Sequence, residues 1–276
     1  MSYLFAILAG AIQGITEFLP ISSSGHLVIF HDMFNFNLPD NVLFDVVLHL
    51  GSLVAILLVF YKDIIKIIRG FFSSLVNFNL SNNFNQRLSW MVIIGTIPAG
   101  ILGFTFDHFI TNTLHNNSIA PLVVAFMLIG VAILFWVVEK YATQQKDLRE
   151  MTKVDSFILG CAQALALIPG TSRSGITIIT GLWRNLKRSE AARFSFLLSV
   201  PVILGAGLKS FLDVTDWFQI PIMILIIGFL SAAITGYFSI KFLMKFLGNH
   251  SLNVFAWYRL VMGLFILGWF FLFRGL

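Results

Sequence analysis

The chain contains the stretch Gln13-Gly-Ile-Thr-Glu-Phe-Leu-Pro-Ile-Ser-Ser-Ser-Gly-His26 and a similar one, Ile168-Pro-Gly-Thr-Ser-Arg-Ser-Gly-Ile-Thr177. Each follows an apolar run, breaks at a proline, and supplies hydroxyl and ionisable side chains before the chain becomes apolar again. Ionisable groups are costly at membrane depth and usually line a functional cavity there. We therefore expect a single polar site assembled from both stretches.

The composition is that of a polytopic membrane protein. Of 276 residues, 58% are apolar and only 11% are charged, whereas about a quarter of a soluble domain is charged. The 18 basic residues outnumber the 13 acidic ones, but they lie between apolar runs and form no single patch, so no nucleic-acid partner is expected. The single cysteine, Cys161, excludes an intrachain disulfide and is expected to be a small packed residue.

Six apolar runs are long enough to cross a bilayer, which takes about 20 residues: residues 43–61, 89–106, 119–138, 194–212, 218–240 and 254–273. The shorter stretches 3–19 and 156–168 each end in a polar break. We interpret both as re-entrant helix-loop-helix hairpins, which are tolerated where the loop is buried in protein or faces water. The predicted fold class is an all-α polytopic membrane protein with six transmembrane helices and two re-entrant hairpins.

Charge placement predicts the orientation. Segments 62–88, 139–155, 184–193 and 241–253 hold 14 of the 18 basic residues, so this side is expected to be cytoplasmic. Segments 31–42, 107–118 and 213–217 contain aspartates but no lysine or arginine. Both termini are then expected outside, with the first hairpin entering from outside and the second from the cytoplasm.

An internal repeat accounts for this layout. A shift of 150 residues superposes Gln13 on Gln163, Ser22 on Ser172 and Gly25 on Gly175, and a shift of 133 superposes Gly95 on Gly228. Each half, 1–140 and 154–276, would be one hairpin and three spans of a single membrane domain, 1–276. Because three is odd, the second half is predicted to be inverted relative to the first. The small residues at four-residue spacing, Gly95-Ala99-Gly103 and their repeat mates, predict close helix packing.

The second hairpin has the composition of an anion-binding loop. Backbone N–H groups in a turn rich in glycine and serine, followed by a helix N-terminus, favour a phosphate group. Arg173 adds a planar fork that can bind phosphate through two hydrogen bonds. The alternative is that Arg173 forms a structural ion pair with Glu17 of the first hairpin.

The first hairpin adds groups able to carry out chemistry: the Glu17 carboxylate, the hydroxyls of Ser22, Ser23 and Ser24, and the His26 imidazole. In a helix, Gln13 and Glu17 share a face at i, i+4, and their oxygens could hold a divalent cation whose shell is completed by phosphates and waters. In the alternative interpretation Ser22 and Ser23 are helix caps and His26 is a buried, hydrogen-bonded histidine.

Three outlying polar positions are weaker candidates. His49 would line the cavity or bond across helices. Arg259 would contact a second phosphate or extend toward an interface. Asp45 would assist a cation or be an ordinary interfacial carboxylate.

Both signatures resemble those of the BacA-type undecaprenyl-diphosphate phosphatases, and the length and span layout agree over nearly the whole chain. The resemblance implies a bacterial inner-membrane enzyme, open to the extracytoplasmic side, that removes the terminal phosphate of undecaprenyl diphosphate, recycles the cell-wall lipid carrier and confers bacitracin resistance. It also implies a requirement for Mg²⁺ or Ca²⁺. The residues on the family's site are Glu17, Ser22, Ser23, His26, Ser172, Arg173, Ser174 and Thr177. Gln13 stands at a position that is Glu or Gln in the family pattern.

The mechanism we expect places the diphosphate on Arg173 and on the N–H groups of the second hairpin, with Ser22, Ser172, Ser174, Gly175 and Thr177 as binding residues. Ser23 is the expected nucleophile or the hydroxyl that orients it, while Glu17 and His26 share proton transfer. Glu17 and Gln13 are the expected metal ligands. Direct attack by water would use the same residues.

The main rival is a transporter or flippase of polyprenyl phosphate or another anionic substrate, since inverted repeats are common in carriers. The presence of Glu17, Ser23 and His26 favours an enzyme, because binding alone needs only the cradle and Arg173. The expected partners are a polyprenyl diphosphate and membrane lipids, with a homodimer as an open alternative to a monomer.

Overall fold

The protein is all-α, as expected, in a computed structural model that describes residues 2–34, 41–110, 119–213 and 221–273. These ranges hold eleven α-helices: α1 (Ser2–Phe18), α2 (Ser23–Phe34), α3 (Asn41–Val59), α4 (Tyr61–Val76), α5 (Phe84–Ile110), α6 (Ala120–Tyr141), α7 (Lys153–Leu165), α8 (Arg173–Trp183), α9 (Arg188–Asp213), α10 (Ile222–Leu247) and α11 (Asn253–Phe273). A short 3₁₀ turn, Leu148–Glu150, precedes α7.

Five helices are long and apolar enough to cross a membrane, namely α5, α6, α9, α10 and α11. The first predicted span, 43–61, corresponds to α3, which qualifies only together with α4, as a pair bent by 86°. The segment 62–88, predicted as a connection between spans, therefore contains a further helix. The sequence pattern does not distinguish α4 from the polar residues between α4 and α5, because both contain charged or polar side chains.

The predicted hairpins appear as two pairs of short helices. The break between α1 and α2 contains Pro20, and the break between α7 and α8 contains Pro169. Proline lacks an N–H and its ring clashes with the preceding turn, so a helix seldom continues through it. The entry of the hairpins from opposite faces remains a prediction.

Close approaches at glycine connect the two halves of the chain. A Cβ on Gly10 of α1 would lie 2.4 Å from the Gly228 carbonyl oxygen of α10. A Cβ on Gly160 of α7 would lie 2.3 Å from the Gly95 carbonyl oxygen of α5. Under the proposed repeat, Gly10 matches Gly160 and Gly228 matches Gly95, so each hairpin packs on a span of the other half. Close packing at Gly95 and Gly228 is confirmed, and the division into halves stays a prediction.

The basic segments converge at one end of the bundle. Arg184 pairs with Asp155 at 2.6 Å, Arg193 with Asp63 at 2.7 Å and Lys187 with Asp147 at 2.7 Å. These pairs join three of the four segments that were placed on one side of the membrane. The acidic segments 31–42, 107–118 and 213–217 lie largely outside the described residues.

Cys161 is exposed on the surface of α7. The expectation that it is a packed residue was wrong, because the buried face of α7 is formed by its neighbours Gly160, Ala162 and Gln163.

Candidate active site

The two hairpins meet at a buried ion pair. Arg173, the first residue of α8, donates from Nη2 to Oε1 of Glu17 near the end of α1, at 2.5 Å. A second contact runs from the Ser174 hydroxyl to the carbonyl of Leu19, at 3.4 Å. The polar residues of both stretches thus belong to one junction. The Glu17–Arg173 pair, considered above as the alternative to phosphate binding, is formed.

The other oxygen of Glu17 collects the remaining polar groups of the first hairpin. Oε2 accepts a hydrogen bond of 2.6 Å from the Ser23 hydroxyl and one of 3.1 Å from Nε2 of Gln13. Nε2 of His49 on α3 lies 3.6 Å from the same oxygen. Glu17 is only 6% exposed, and a buried carboxylate is tolerated when it is paired and hydrogen-bonded in this way.

The two proline breaks end in the same unusual backbone. Ser22 has φ +77° and Ser172 has φ +70°, in the left-handed region that non-glycine residues seldom adopt. The Ser22 hydroxyl accepts from the N–H of Gly25 at 3.3 Å, and the Ser172 hydroxyl accepts from the N–H of Gly175 at 3.1 Å. Both serines therefore cap the helices that follow, as the alternative interpretation proposed for Ser22.

Ser23 differs from its neighbours. Its hydroxyl points to the Glu17 carboxylate, while the Ser24 hydroxyl lies 3.4 Å from Ser22 Oγ. Of the three consecutive serines, Ser23 alone is bonded to an ionisable group in the described contacts. This geometry suits a hydroxyl whose proton is to be removed by a carboxylate.

Other candidates in the second hairpin face the protein interior. Thr177 is fully buried, donates to the Arg173 carbonyl at 2.7 Å and lies 2.6 Å from the Ser195 hydroxyl of α9. Gly175 sits close to the Phe135 ring, and Ser174 is also buried. Their binding roles stay predictions; in this geometry Arg173 and Ser174 are the side chains that reach the first hairpin, at Glu17 and at the Leu19 carbonyl.

His26 is bonded through both ring nitrogens. Nδ1 lies 2.7 Å from the Ser22 carbonyl oxygen, and Nε2 lies 2.7 Å from the Tyr258 hydroxyl. A carbonyl oxygen only accepts, so Nδ1 carries a proton, and a neutral ring then accepts at Nε2 from Tyr258. Among the described residues, His26 bonds to Ser22 and Tyr258 and makes no hydrogen bond or ion pair with Glu17. Tyr258 was absent from the sequence candidates, because its contact with His26 bridges 232 positions.

Arg259 does not have the interfacial role that was one of its two expected roles, and the phosphate contact stays a prediction. It is fully buried, and its guanidinium donates to backbone carbonyls of Pro20 in the first break, Gly170 and Thr171 in the second, and Met127 and Leu128 in α6. It therefore holds the two loops and α6 together. The guanidinium is engaged by the backbone and does not extend to an interface.

The remaining weak candidates lie beside the site. His49, a third exposed, faces Glu17 and also bonds through Nδ1 to the Asp45 carbonyl at 2.7 Å. The Asp45 carboxylate lies 3.1 Å from Nε2 of His31. The Asp45 carboxylate thus has a histidine partner. His49 lines the site, which is one of the two roles expected for it.

The residues available to a metal ion are few. Across the described ranges, no three side chains of the types His, Cys, Asp or Glu come together as a metal centre. Oε1 of Gln13 is buried without a hydrogen-bond partner, one turn from Glu17. An amide oxygen and a carboxylate oxygen fit Mg²⁺ or Ca²⁺ if a phosphate substrate and water supply the other ligands.

Fold and site together define an all-α, multi-pass membrane protein with a charge-compensated polar site at the junction of two broken helices. The chain belongs to the family described as bacitracin resistance protein BacA, whose family model matches residues 6–265.

Similar proteins cover almost the whole chain. A protein named undecaprenyl-diphosphatase from Thermomicrobium roseum is 40% identical over 268 residues, 95% of this chain and 96% of the relative. One of the same name from Methanosphaera stadtmanae is 40% identical over 273 residues, 96% of each chain. Undecaprenyl-diphosphatase 2 of Stutzerimonas stutzeri is 40% identical over 276 residues, 97% of this chain and 98% of the relative.

Proposed function

We propose that this protein hydrolyses undecaprenyl diphosphate to undecaprenyl phosphate and inorganic phosphate. The observation that carries the proposal is the contact of Ser23, Glu17 and Arg173 at 2.5 to 2.6 Å in one buried junction. A hydroxyl, a base and a phosphate-binding cation are the parts that phosphoryl transfer needs. Membership of the BacA family supports the same activity.

Arg173 and Glu17 are proposed to change partners when substrate binds. Without a ligand, the guanidinium compensates the carboxylate. A diphosphate offers Arg173 an anion that accepts two parallel hydrogen bonds. Once Arg173 turns to phosphate, the Glu17 carboxylate loses its cation and becomes a stronger base toward Ser23. Binding of the substrate would therefore activate the site.

The reaction is proposed to start at Ser23. Its oxygen attacks the terminal phosphorus, its proton passes to Glu17, and the bond to the leaving lipid phosphate breaks. Water then hydrolyses the phosphoserine and releases inorganic phosphate, which returns Ser23. In the direct alternative, Glu17 takes the proton from a water that Ser23 orients. Arg173 and the N-terminal end of α8 stabilise the charge of the transferring group in both cases.

His26 is proposed to act through Tyr258. The hydrogen bond of 2.7 Å between Nε2 and the Tyr258 hydroxyl gives a path by which a proton can leave or reach the site. The bond from Nδ1 to the Ser22 carbonyl orients the ring. This role modifies the expectation that His26 and Glu17 share proton transfer directly.

A divalent cation, Mg²⁺ or Ca²⁺, is proposed to be held by Glu17 and Oε1 of Gln13. Bound there, it would offset the negative charge of the diphosphate. The support is the unpartnered, buried amide oxygen beside the single carboxylate of the site. A chelator that abolishes turnover, with recovery on addition of Mg²⁺ or Ca²⁺ but not of a monovalent salt, is the expected result.

The protein is proposed to reside in the bacterial inner membrane with the site open to the extracytoplasmic side. The basic residues collected at one end of the bundle support this orientation, because positive loops favour the cytoplasm. Reaction of single introduced cysteines with a membrane-impermeant reagent in intact cells tests it.

Hydrolysis and transport are separated by one experiment. Purified protein in detergent is given undecaprenyl diphosphate, and inorganic phosphate is measured with and without chelator. We expect cation-dependent phosphate release that is lost in Arg173→Ala and kept in Arg184→Ala, an arginine paired with Asp155 instead. Movement of polyprenyl phosphate in sealed liposomes without any phosphate release would favour the transporter.

A further inference from the structure

Helix α4 turns sharply away from the direction of α3. It is bent by 86° from α3 after Val59, and its 16 residues span about 24 Å at 1.5 Å per residue. The hydrocarbon core is about 30 Å thick. Helix α4 is therefore too short to span the hydrocarbon core by itself, and the bend prevents it from continuing the path of α3 across the membrane.

The inner face of α4 is fixed against α5. Gly70 and Ser74 are buried, and a Cβ on Gly70 would lie 2.5 Å from the Asn85 carbonyl oxygen. The Ser89 hydroxyl donates to the Ile67 carbonyl at 2.6 Å, and the Trp90 indole N–H donates to Ser74 at 3.0 Å. Helix α4 is therefore held in a defined rotation, so its other faces are presented consistently.

The outer face of α4 is apolar and exposed. Its residues recur at helical spacing and are between 42% and 62% exposed: Tyr61, Ile65, Ile68, Phe72 and Leu75. A continuous apolar stripe of this kind is unfavourable in water and stable in acyl chains. The position of α4 directly after a membrane-embedded helix favours lipid as its contact.

A basic edge borders the apolar face. It consists of Lys62, Lys66 and Arg69, at i, i+4 and i+7. Among the described residues none of the three has a carboxylate partner, and Lys62 lies over the Tyr61 ring at 5.7 Å. Asp63, the only acid of α4, is engaged by Arg193 at 2.7 Å. The edge thus offers three cations to an external anion.

A cavity of about 460 Å³ opens beside this edge and is lined by Lys66, Arg149 and residues at the start of α5. Its three acids each lie near a cation: Asp63 and Glu190 are 2.7 and 4.0 Å from Arg193, and Asp147 is 2.7 Å from Lys187. Arg149 packs over Phe84 at 5.6 Å. Lys66 and Arg149 remain as cations able to face a phosphate group at the membrane surface.

We propose that α4 is an interfacial helix that binds anionic phospholipid of the leaflet next to the basic loops. The apolar face lies among the acyl chains, and Lys62, Lys66 and Arg69 contact the phosphate groups of the lipids. Amphipathic helices with a basic polar face bind membranes in this way. The surface is independent of the Glu17–Arg173 site and of the reaction proposed there.

The position of α4 is tested with spin labels. In a Cys161→Ser background, labels are placed at Ile68→Cys and Lys66→Cys, and the protein is reconstituted into bilayers of phosphatidylcholine and phosphatidylglycerol. We expect the label at 68 to be accessible to oxygen and the label at 66 to an aqueous relaxation agent. A water-accessible label at 68, or dipolar coupling that shows a second copy over this face, would overturn the proposal.

Lipid selectivity is tested with charge variants. The triple variant Lys62→Gln, Lys66→Gln, Arg69→Gln is compared with Lys140→Gln, Lys241→Gln, Lys245→Gln, which removes exposed lysines at the ends of α6 and α10. A basic residue at an anionic surface contributes roughly a factor of five in binding. We expect preference for phosphatidylglycerol over phosphatidylcholine, measured by lipid retention in native mass spectrometry, to fall at least about tenfold in the first variant only.

Inorganic phosphate is the other ligand that the basic edge of α4 could bind, in place of a lipid phosphate group. Inorganic phosphate at millimolar concentration is expected to leave the retained phosphatidylglycerol unchanged. Displacement of the lipid by phosphate, or an equal loss of selectivity in both triple variants, would contradict a lipid-specific surface on α4.

Discussion

Nη2 of Arg173 lies 2.5 Å from Oε1 of Glu17, so that two residues 156 positions apart form the buried link between the hairpins. The pair keeps both charges compensated in the absence of substrate. Loss of either side chain would leave the other as an uncompensated buried charge. In the proposed mechanism a phosphate ligand would compete with Glu17 for Arg173, and the cost of separating the pair would be recovered only when an anion replaces the carboxylate.

Replacement of Arg173 by lysine tests the fork of the guanidinium. Lysine keeps the charge but cannot bind phosphate through two parallel bonds, so we expect kcat/KM for phosphate release to fall by a factor of about 10² to 10³. Arg184→Lys is the matched control, and its activity should stay near that of the unmodified protein. Size-exclusion profiles and thermal unfolding check that both variants fold. Normal activity in folded Arg173→Lys would contradict bidentate phosphate binding.

Ser23 and Ser24 are neighbours with different contacts, and this makes them a matched pair. Ser23→Ala removes the hydroxyl bonded to Glu17, and we expect it to abolish phosphate release. Ser24→Ala removes a hydroxyl near Ser22 and is expected to have a small effect.

The covalent and direct mechanisms differ in what they leave behind. Rapid quench with substrate labelled in the terminal phosphate should trap label on Ser23 if it is the nucleophile. Burst-free kinetics together with unlabelled protein would leave Ser23 as the residue that orients water.

Arg259 is predicted to be a positioning residue. Arg259→Met removes donors from five backbone carbonyls, and each buried acceptor left without a partner costs about 1 to 3 kcal/mol. We expect a lower unfolding temperature and a fall in kcat greater than any rise in KM, because the loops lose their alignment. Arg259→Lys, which keeps some donors, should recover part of both. A loss of stability with unchanged kcat in the folded fraction would show a role in folding alone.

Asp155 is predicted to stabilise the base of the second hairpin in a pH-dependent manner. Burial raises the pKa of its carboxyl, but hydrogen bonds from the Thr152 backbone N–H, from Arg184 and from the Thr152 hydroxyl outweigh burial and hold the pKa below its ordinary value. Because the pKa is lower in the folded state, this stability is present above the ordinary pKa of about 3.9 and is lost as pH falls through the folded value.

Asp155→Asn should therefore lower the unfolding temperature at pH 7, and the difference from the unmodified protein should shrink as the pH falls below about 4. Asp147→Asn is the control, since Asp147 is half-exposed in its pair with Lys187 and such pairs contribute about 0 to 1 kcal/mol. A difference for Asp155→Asn that does not vary with pH would contradict the assigned charge.

Local sequence patterns were sufficient for much of the fold. The apolar runs located α5, α6, α9, α10 and α11, and Pro20 and Pro169 located the two breaks. The Glu17–Arg173 contact could also be predicted, because ionisable side chains in apolar surroundings usually pair with an opposite charge. Helix α4 was not predicted, because basic residues interrupt its apolar residues along the sequence. A search for long uncharged runs therefore assigns this segment to a polar connection between spans.

The remaining features of the site depend on contacts that no local pattern encodes. The hydrogen bond of His26 to Tyr258 and the binding of Arg259 to both loops require the position of α11 relative to both hairpins. Serine rarely adopts the backbone seen at Ser22 and Ser172, where a left-handed residue costs roughly 1 to 2 kcal/mol. Tertiary packing imposes that conformation.

The clamp supplied by Arg259 comes from α11, which follows both hairpins along the chain. A nascent or prematurely terminated chain can already contain every serine and the Glu17–Arg173 pair, yet its two loops have no common anchor. Catalytic competence would then appear only after α11 has inserted, later than both hairpins that carry the reacting groups.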